Sequence, residues 1–100
     1  MVLSKSGKPL VRLPYPPKAS ELEGVGVTLL FVLRTLLRLE QATAGEIAQC
    51  LPVGLAQVED NLLFARSKGM LDVDVDGHVS ISWRWDRAVR RALTRRNMTS

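Results

Sequence analysis

Arginine is concentrated in the last eighteen residues of the chain, and these are the side chains with the clearest chemical use. Six arginines stand there against a single acid, Asp86; they are Arg84, Arg87, Arg90, Arg91, Arg95 and Arg96. A guanidinium group stays charged at physiological pH, and its planar fork matches the oxygens of a phosphate group. Binding through about five or six such contacts depends steeply on salt and little on base sequence. The pattern indicates a surface for a polyanion such as nucleic acid.

Two other uses of these arginines stay open at this stage. A row of charged side chains also serves as a solvated helix face that keeps a protein soluble. A basic amphipathic helix can instead lie on an anionic membrane surface. The lipid interpretation is the weaker one, because Trp85 and Leu93 are better used in a protein core.

Catalytic and metal-binding patterns are absent from the sequence. The chain has one histidine, His78, and one cysteine, Cys50, which excludes an intrachain disulfide and a cysteine-rich zinc site. It has no glycine-rich phosphate loop and no Ser/His/Asp or Cys/His set. The alternating acids Asp72, Asp74 and Asp76 lack the further ligands of a calcium loop. We therefore expect no enzyme activity, no metal and no cofactor.

Length and charge distribution favour a single domain with basic ends. The chain has 100 residues, of which 46% are hydrophobic and 24% charged, and its net charge is +4. Residues 1–20 carry +4 and residues 83–100 carry +5, whereas residues 42–64 carry −3. Basic ends favour a polyanionic partner, here double-stranded DNA. No stretch has the roughly 20 apolar residues that a membrane helix needs, and no signal pattern is evident, so we expect a cytoplasmic protein.

Proline and capping signals divide the chain into segments. Four prolines predict an extended, basic, Pro-rich N-terminal arm over residues 1–19. Ser20 followed by Glu23 is typical of a helix start, and the helical period continues to about Gln41. Thr43 and Glu46 form a second such pair for a short helix that ends at Pro52. A third helix is expected from Leu55 to Lys68, with Gly69 after its end.

The hydrophobic period changes from helical to alternating after Gly69. Apolar residues alternate from Leu71 to Val75 and again from Val79 to Trp83, which predicts two strands with these residues on the inner face. Asp76-Gly77 between them is a signal for a two-residue hairpin turn. A fourth helix is expected from Trp85 to about Asn97. The predicted units are a core over residues 20–83 and a basic amphipathic helix and tail over residues 84–100.

This order of elements resembles a winged helix-turn-helix domain, a mainly α fold with a β-hairpin wing. The resemblance rests on Thr43-x-x-Glu46-Ile47-Ala48, followed by Val58-x-x-x-Leu62-x-x-Ala65-x-x-x-Gly69-Met70-Leu71. It is similar to the pattern of small bacterial transcription regulators of the MarR and ArsR kind. The expected order is helix, helix, helix, strand, strand, helix, with the extended arm in front.

The resemblance implies a DNA-reading role for the third helix. On that helix, Gln57 and Asn61 suit adenine, and Arg66 and Lys68 suit phosphate or guanine. We expect backbone contacts from the basic N-terminal arm and from the last helix, through Arg84, Arg87, Arg90, Arg91 and Arg95. An alternative is a protein-interaction module, because the third helix also presents Asp60, Leu63 and Phe64 beside an acidic hairpin. The sequence leaves both functions open.

Apolar residues outside the expected core arcs predict a homodimer. The first helix places Val27 and Phe31 away from its main apolar stripe. The last helix adds Trp85, Val89 and Leu93, and we expect a monomer of this size to cover only one of the two sets. A two-fold dimer through the first helix, the arm and the last helix would bury both sets and place two winged domains side by side.

Overall fold

The protein is described by a computed structural model over residues 17–22 and 24–98. Residues 1–16 lie outside this range, so the extended arm stays a prediction. The elements, in chain order, are a 3₁₀ helix (Ala19–Leu22), α1 (Val27–Leu39), α2 (Ala44–Cys50), α3 (Leu55–Ser67), β1 (Leu71–Val73), β2 (Val79–Ile81) and α4 (Trp83–Arg95). The predicted mainly helical fold with a hairpin between the third and fourth helices is confirmed.

The first helix is shorter than the sequence predicted. The expectation of one helix from Ser20 to Gln41 is wrong, because the chain forms a 3₁₀ helix, breaks at Gly24 and starts α1 only at Val27. Gly24 has a φ of +82°, a left-handed conformation that no α-helix continues through. Ser20 therefore does not cap α1, whose N-cap residue is Gly26. The break lets Leu22 turn into the core.

The second and third helices begin and end where the sequence signals predict. Thr43 Oγ1 accepts a hydrogen bond from the Glu46 backbone N–H at 3.2 Å, and Glu46 Oε1 accepts one from the Thr43 backbone N–H at 2.9 Å. Gly69 has a φ of +80° directly after α3, as expected of a helix-ending glycine. Val58, Leu62 and Ala65 form the buried side of α3. Leu55, the first residue of α3, is exposed.

The hairpin has a longer loop than the two-residue turn that Asp76-Gly77 suggested. Val73 pairs with Val79 and Leu71 with Ile81. The Asp74 backbone N–H donates to the His78 carbonyl at 3.0 Å, and the Gly77 N–H donates to the Asp74 carbonyl at 3.1 Å, which leaves three residues in the loop. Val73 and Val75 are exposed, so their predicted inner position is wrong; only Leu71 of the first alternating run is buried.

The segment between α1 and α2 adds a third piece of extended chain to the hairpin. The Ala42 N–H donates to the Val79 carbonyl at 3.0 Å, and the Val79 N–H donates back to the Ala42 carbonyl at 2.8 Å. This bridge ties the hairpin to the helical part of the chain. Such a short extended stretch has no periodicity, and for this reason the sequence did not reveal it.

One core runs through all the elements. Four of its nine largest fully buried side chains come from α1, and the other five come from the remaining segments: Leu22, Ile47, Val58, Met70 and Val89. α4 packs on the 3₁₀ helix and on α1, whereas α3 packs on α1, α2 and β1. The last helix therefore shares the core of the winged-helix elements. No helix in residues 17–22 and 24–98 has the length and apolar character to cross a membrane.

Candidate nucleic-acid interface

The arginines of α4 line one side of a helix whose other side is buried. Ala88, Val89, Ala92 and Leu93 pack into the core, so the helix has a fixed rotation about its axis. The same rotation turns four arginines outward, and we call them the Arg face: Arg87, Arg90, Arg91 and Arg95. Arg84, in the first turn, is half-buried. The structure thus brings the Arg face together as the sequence predicted.

Both ends of α4 are held by backbone hydrogen bonds. At the start, the Ser82 N–H donates to the Met70 carbonyl at 2.7 Å, which joins the helix to the segment before β1. At the end, the Met98 N–H donates to the Leu93 carbonyl at 2.8 Å, and the Met98 side chain is buried. These contacts make α4 a rigid support for the Arg face.

One arginine of the Arg face is paired within the helix. Arg90 Nε donates to Asp86 Oδ1 at 2.7 Å, one turn earlier in α4. Both side chains are exposed enough that this ion pair is screened by water and contributes little to stability. Arg87 and Arg91 are exposed and make no ion pair in the described part of the chain.

Trp83 lies beside the Arg face, a position that the sequence did not predict. We expected it on the inner face of the second strand, but it is the first residue of α4, and 82% of its surface is exposed. The alternation of Val79, Ile81 and Trp83 suggested a strand. The competing signal was the helical spacing from Trp83 to Arg87 and Arg90, which places all three on one side of a helix.

The predicted DNA-reading residues of α3 are only partly available. Asn61 Nδ2 donates to the Gln57 carbonyl at 2.8 Å, so its amide is bonded to its own helix. Lys68 Nζ lies 5.6 Å from the centroid of the Phe64 ring, at the distance of a cation–π contact. Gln57 and Arg66 are exposed. Three of the four residues lie in α3 and Lys68 directly follows it, but Asn61 and Lys68 already contact other residues of that helix.

The residues of the alternative docking surface line two grooves, one on either side of α3. A groove of about 390 Å³ lies between α3 and the hairpin and includes Asp60, Leu63 and Val73. A second groove, of about 480 Å³, lies between α3 and the turn before α1 and includes Asp60, Phe64 and Gly24. Leu63, with 65% of its surface exposed, is the most exposed of the large apolar residues of α3.

The hairpin loop places three titratable side chains together. Single ligand atoms of Asp74, Asp76 and His78 lie within 4.8 Å of one another. Asp74 Oδ1 accepts hydrogen bonds from the backbone N–H groups of His78 and Asp76, both at 2.9 Å. The His78 N–H is the main cause of a lowered pKa of the Asp74 carboxyl group. The Asp74 carboxylate therefore closes the loop of the hairpin.

The predicted dimer residues fall into three groups. Val89 and Leu93 are buried in the core of the single chain, so their predicted position at a dimer interface is wrong. Trp85 and Phe31 are half-buried and pack against the same core. Arg34 lies 5.6 Å from the centroid of the Phe31 ring. Val27 is the one member of the set that is largely exposed.

Comparison of the chain with protein-family models, with curated proteins and with solved structures gives no match. The geometry and charge of the chain's own residues therefore carry the functional argument.

Proposed function

We propose that this chain is a small DNA-binding protein of the winged-helix type, a regulator similar to the MarR and ArsR kind, and not an enzyme. The observation that carries the proposal is the Arg face of α4, held outward by the burial of the opposite side of the helix. Arg87 and Arg95 are separated by about 12 Å along the helix axis, at 1.5 Å per residue. Guanidinium groups over that length can contact successive phosphates of a DNA backbone.

The acidic charge on α3 supports the assignment of backbone binding to α4. Glu59 and Asp60 are exposed on α3, and Asp72 is exposed on the neighbouring strand β1. Carboxylates close to a phosphate backbone repel it, which weakens binding through this surface. We therefore assign the affinity for DNA to α4, and the contribution of Gln57 and Arg66 is secondary.

The salt dependence of DNA binding tests this assignment. Each phosphate contact with duplex DNA contributes about 0.9 to the slope of log K against log salt concentration. Replacing Arg87 and Arg91 by Gln should therefore lower that slope by about 2 in a mobility-shift titration. The matched control removes two charges from α3, with Arg66 and Lys68 replaced by Gln, and should leave most of the slope intact. Absence of binding to any duplex at low salt would refute the proposal.

A second candidate function is protein docking through α3 and the hairpin. It is favoured by the two grooves that flank α3, each of which combines Asp60 with an exposed apolar side chain. Charge and apolar area together suit a partner with basic and apolar residues. The double substitution Leu63→Asp, Phe64→Asp should abolish capture of such a partner. If every captured protein is retained by the double variant, this surface is not a docking site.

A homodimer stays part of the proposal, through α1 alone. Val27 is half-exposed at the start of α1, and Phe31 lies one turn later on the helix. Val27→Glu adds charge at an exposed position and leaves the core intact. We expect a dimer by light scattering for the native chain and a monomer for Val27→Glu. Both proteins are measured at the same concentration, and a native chain that is monomeric in that measurement would refute the dimer.

A further inference from the structure

We propose that the Arg face and Trp83 together bind single-stranded nucleic acid, with the Trp83 indole stacked on an unpaired base. This inference rests on the proposed function, because it uses the same backbone contacts on α4. The inference differs from the proposed function in the form of the ligand, which is a strand with accessible bases and not a closed duplex. The observation behind it is the position of an exposed tryptophan at one end of the row of arginines.

Trp83 and the Arg face lie on the same side of α4. Residues four and seven positions apart share one side of a helix, which aligns Trp83 with Arg87 and Arg90. The axial separation between Trp83 and Arg87 is about 6 Å. Of the Trp83 surface, 82% is exposed, although burial of a tryptophan ring is strongly favourable. A strand that follows the Arg face therefore meets the indole ring at the start of the helix.

The chemistry of the pair fits an unpaired base. Proteins that bind single strands combine cationic side chains along the backbone with aromatic rings on which bases stack, and this stacking tolerates any base. In a closed duplex both faces of each base are covered by its neighbours. The indole of Trp83 then has no base surface to stack on unless a step is opened. The combination of one aromatic ring and several guanidinium groups consequently favours the single strand.

The packing of α4 argues against a lipid ligand. A helix at a membrane surface inserts its apolar side into the lipid. The apolar side of α4 is already used in the core, where Val89 and Leu93 are buried. Among the described residues of α4, Trp83 is the only large apolar side chain that is exposed. One ring on a charged side gives little area for insertion.

The test measures binding of the full chain to a labelled oligothymidylate and to a duplex of the same length. We expect Trp83→Ala to weaken binding to the oligothymidylate by about 5-fold to about 140-fold, the range for loss of one stacked base. Trp83→Phe should recover most of that loss, because phenylalanine keeps an aromatic face. The matched control is Leu55→Ala, which removes an exposed apolar side chain at the start of α3, outside both grooves, and should bind as the native chain does.

A second readout reports the stacking directly. In a Trp85→Phe background, Trp83 is the only tryptophan, and we expect its fluorescence to be quenched when the oligothymidylate binds. The affinity for duplex should change less than twofold in Trp83→Ala, because a duplex contacts the Arg face and does not stack on the indole ring.

Other results would contradict the stacking inference, the preference for single strands or the proposed function. If Trp83→Ala binds the oligothymidylate like the native chain, the stacking inference is wrong, while retained binding of duplex leaves the proposed function standing. Equal losses for duplex and single strand would also overturn the preference for unpaired bases. Binding to phosphatidylserine vesicles that depends on Trp83, without binding to the oligothymidylate, would assign the surface to lipid. If neither nucleic acid binds at low salt, both proposals fail.

Discussion

The position of Leu93 decides whether α4 belongs to the core of the chain or to a subunit interface. Only 2% of its surface is exposed, and it lies in the cluster formed by α1, the 3₁₀ helix and the other buried residues. From the sequence we placed the same residue at a dimer interface. The substitution Leu93→Ala distinguishes a core location from an interface location. A core residue stabilises the monomer, whereas an interface residue stabilises only the assembly.

The expected loss follows from the burial of the side chain. Leucine-to-alanine changes at buried positions cost about 2–5 kcal/mol, from lost transfer free energy and from the cavity left behind. The total free energy of unfolding of a domain is roughly 5–15 kcal/mol. A loss of about 3 kcal/mol, with an m-value near 1.5 kcal/mol/M, lowers the urea midpoint by about 2 M. Leu93→Ala should therefore leave a folded but clearly weakened protein.

Urea unfolding at several protein concentrations measures this effect. Leu63→Ala is the matched control, since it makes the same chemical change at an exposed position and should shift stability by less than about 0.5 kcal/mol. The Leu93→Ala midpoint should not vary with protein concentration. A loss below about 1 kcal/mol would contradict the burial of Leu93. If the loss in free energy of unfolding grows as the protein is diluted, Leu93 lies at a subunit interface instead.

Three further predictions concern local structure and are measured by urea unfolding. Thr43→Ala should cost about 1 kcal/mol, because it removes the side-chain acceptor of the α2 N-terminus. Gly69→Ala should cost about 1–2 kcal/mol from backbone strain at φ +80°, since a Cβ there meets no atom within 4 Å. Its control, Gly45→Ala inside α2, should raise stability, and a loss at both sites would point to a steric cause instead. The third substitution, Asp74→Asn, tests the pH dependence of the free energy of unfolding. The pKa of Asp74 is lowered by folding, so its stabilising effect is present above the unfolded pKa and lost as pH falls through the folded pKa. The difference between the native chain and Asp74→Asn should shrink at acid pH, and a constant difference would contradict the lowered pKa.

The sequence predicted best where a local signal has a single structural meaning. The pair Thr43 and Glu46 satisfies two backbone N–H groups only at a helix N-terminus, and the structure has α2 starting there. Gly69 follows a helical period and precedes an alternating one, so the end of α3 was well defined. The Arg face followed from the same reasoning, because the apolar and charged positions of α4 separate cleanly at helical spacing.

The errors occurred where two periodicities or two conformations compete. Residues 20–26 satisfy a helical pattern, but Gly24 can adopt a left-handed φ at no steric cost, and the tertiary contacts of Leu22 favour the break. Val75 continues an alternating run, yet it lies in the hairpin loop and is fully exposed. Trp83 fits the last position of a strand and the first position of a helix equally well. Only the packing of α4 decides between them.

The two sides of α4 make binding and stability separable, which is the reason that the proposals on this helix can be tested without ambiguity. Substitutions at Val89 or Leu93 act on the core, and their effect on a ligand passes through unfolding. Substitutions at Trp83, Arg87 or Arg91 act at the exposed side and should leave the unfolding midpoint nearly unchanged. A variant of the exposed side that loses nucleic-acid binding at native stability therefore reports a direct contact, whereas loss of both properties reports a damaged fold.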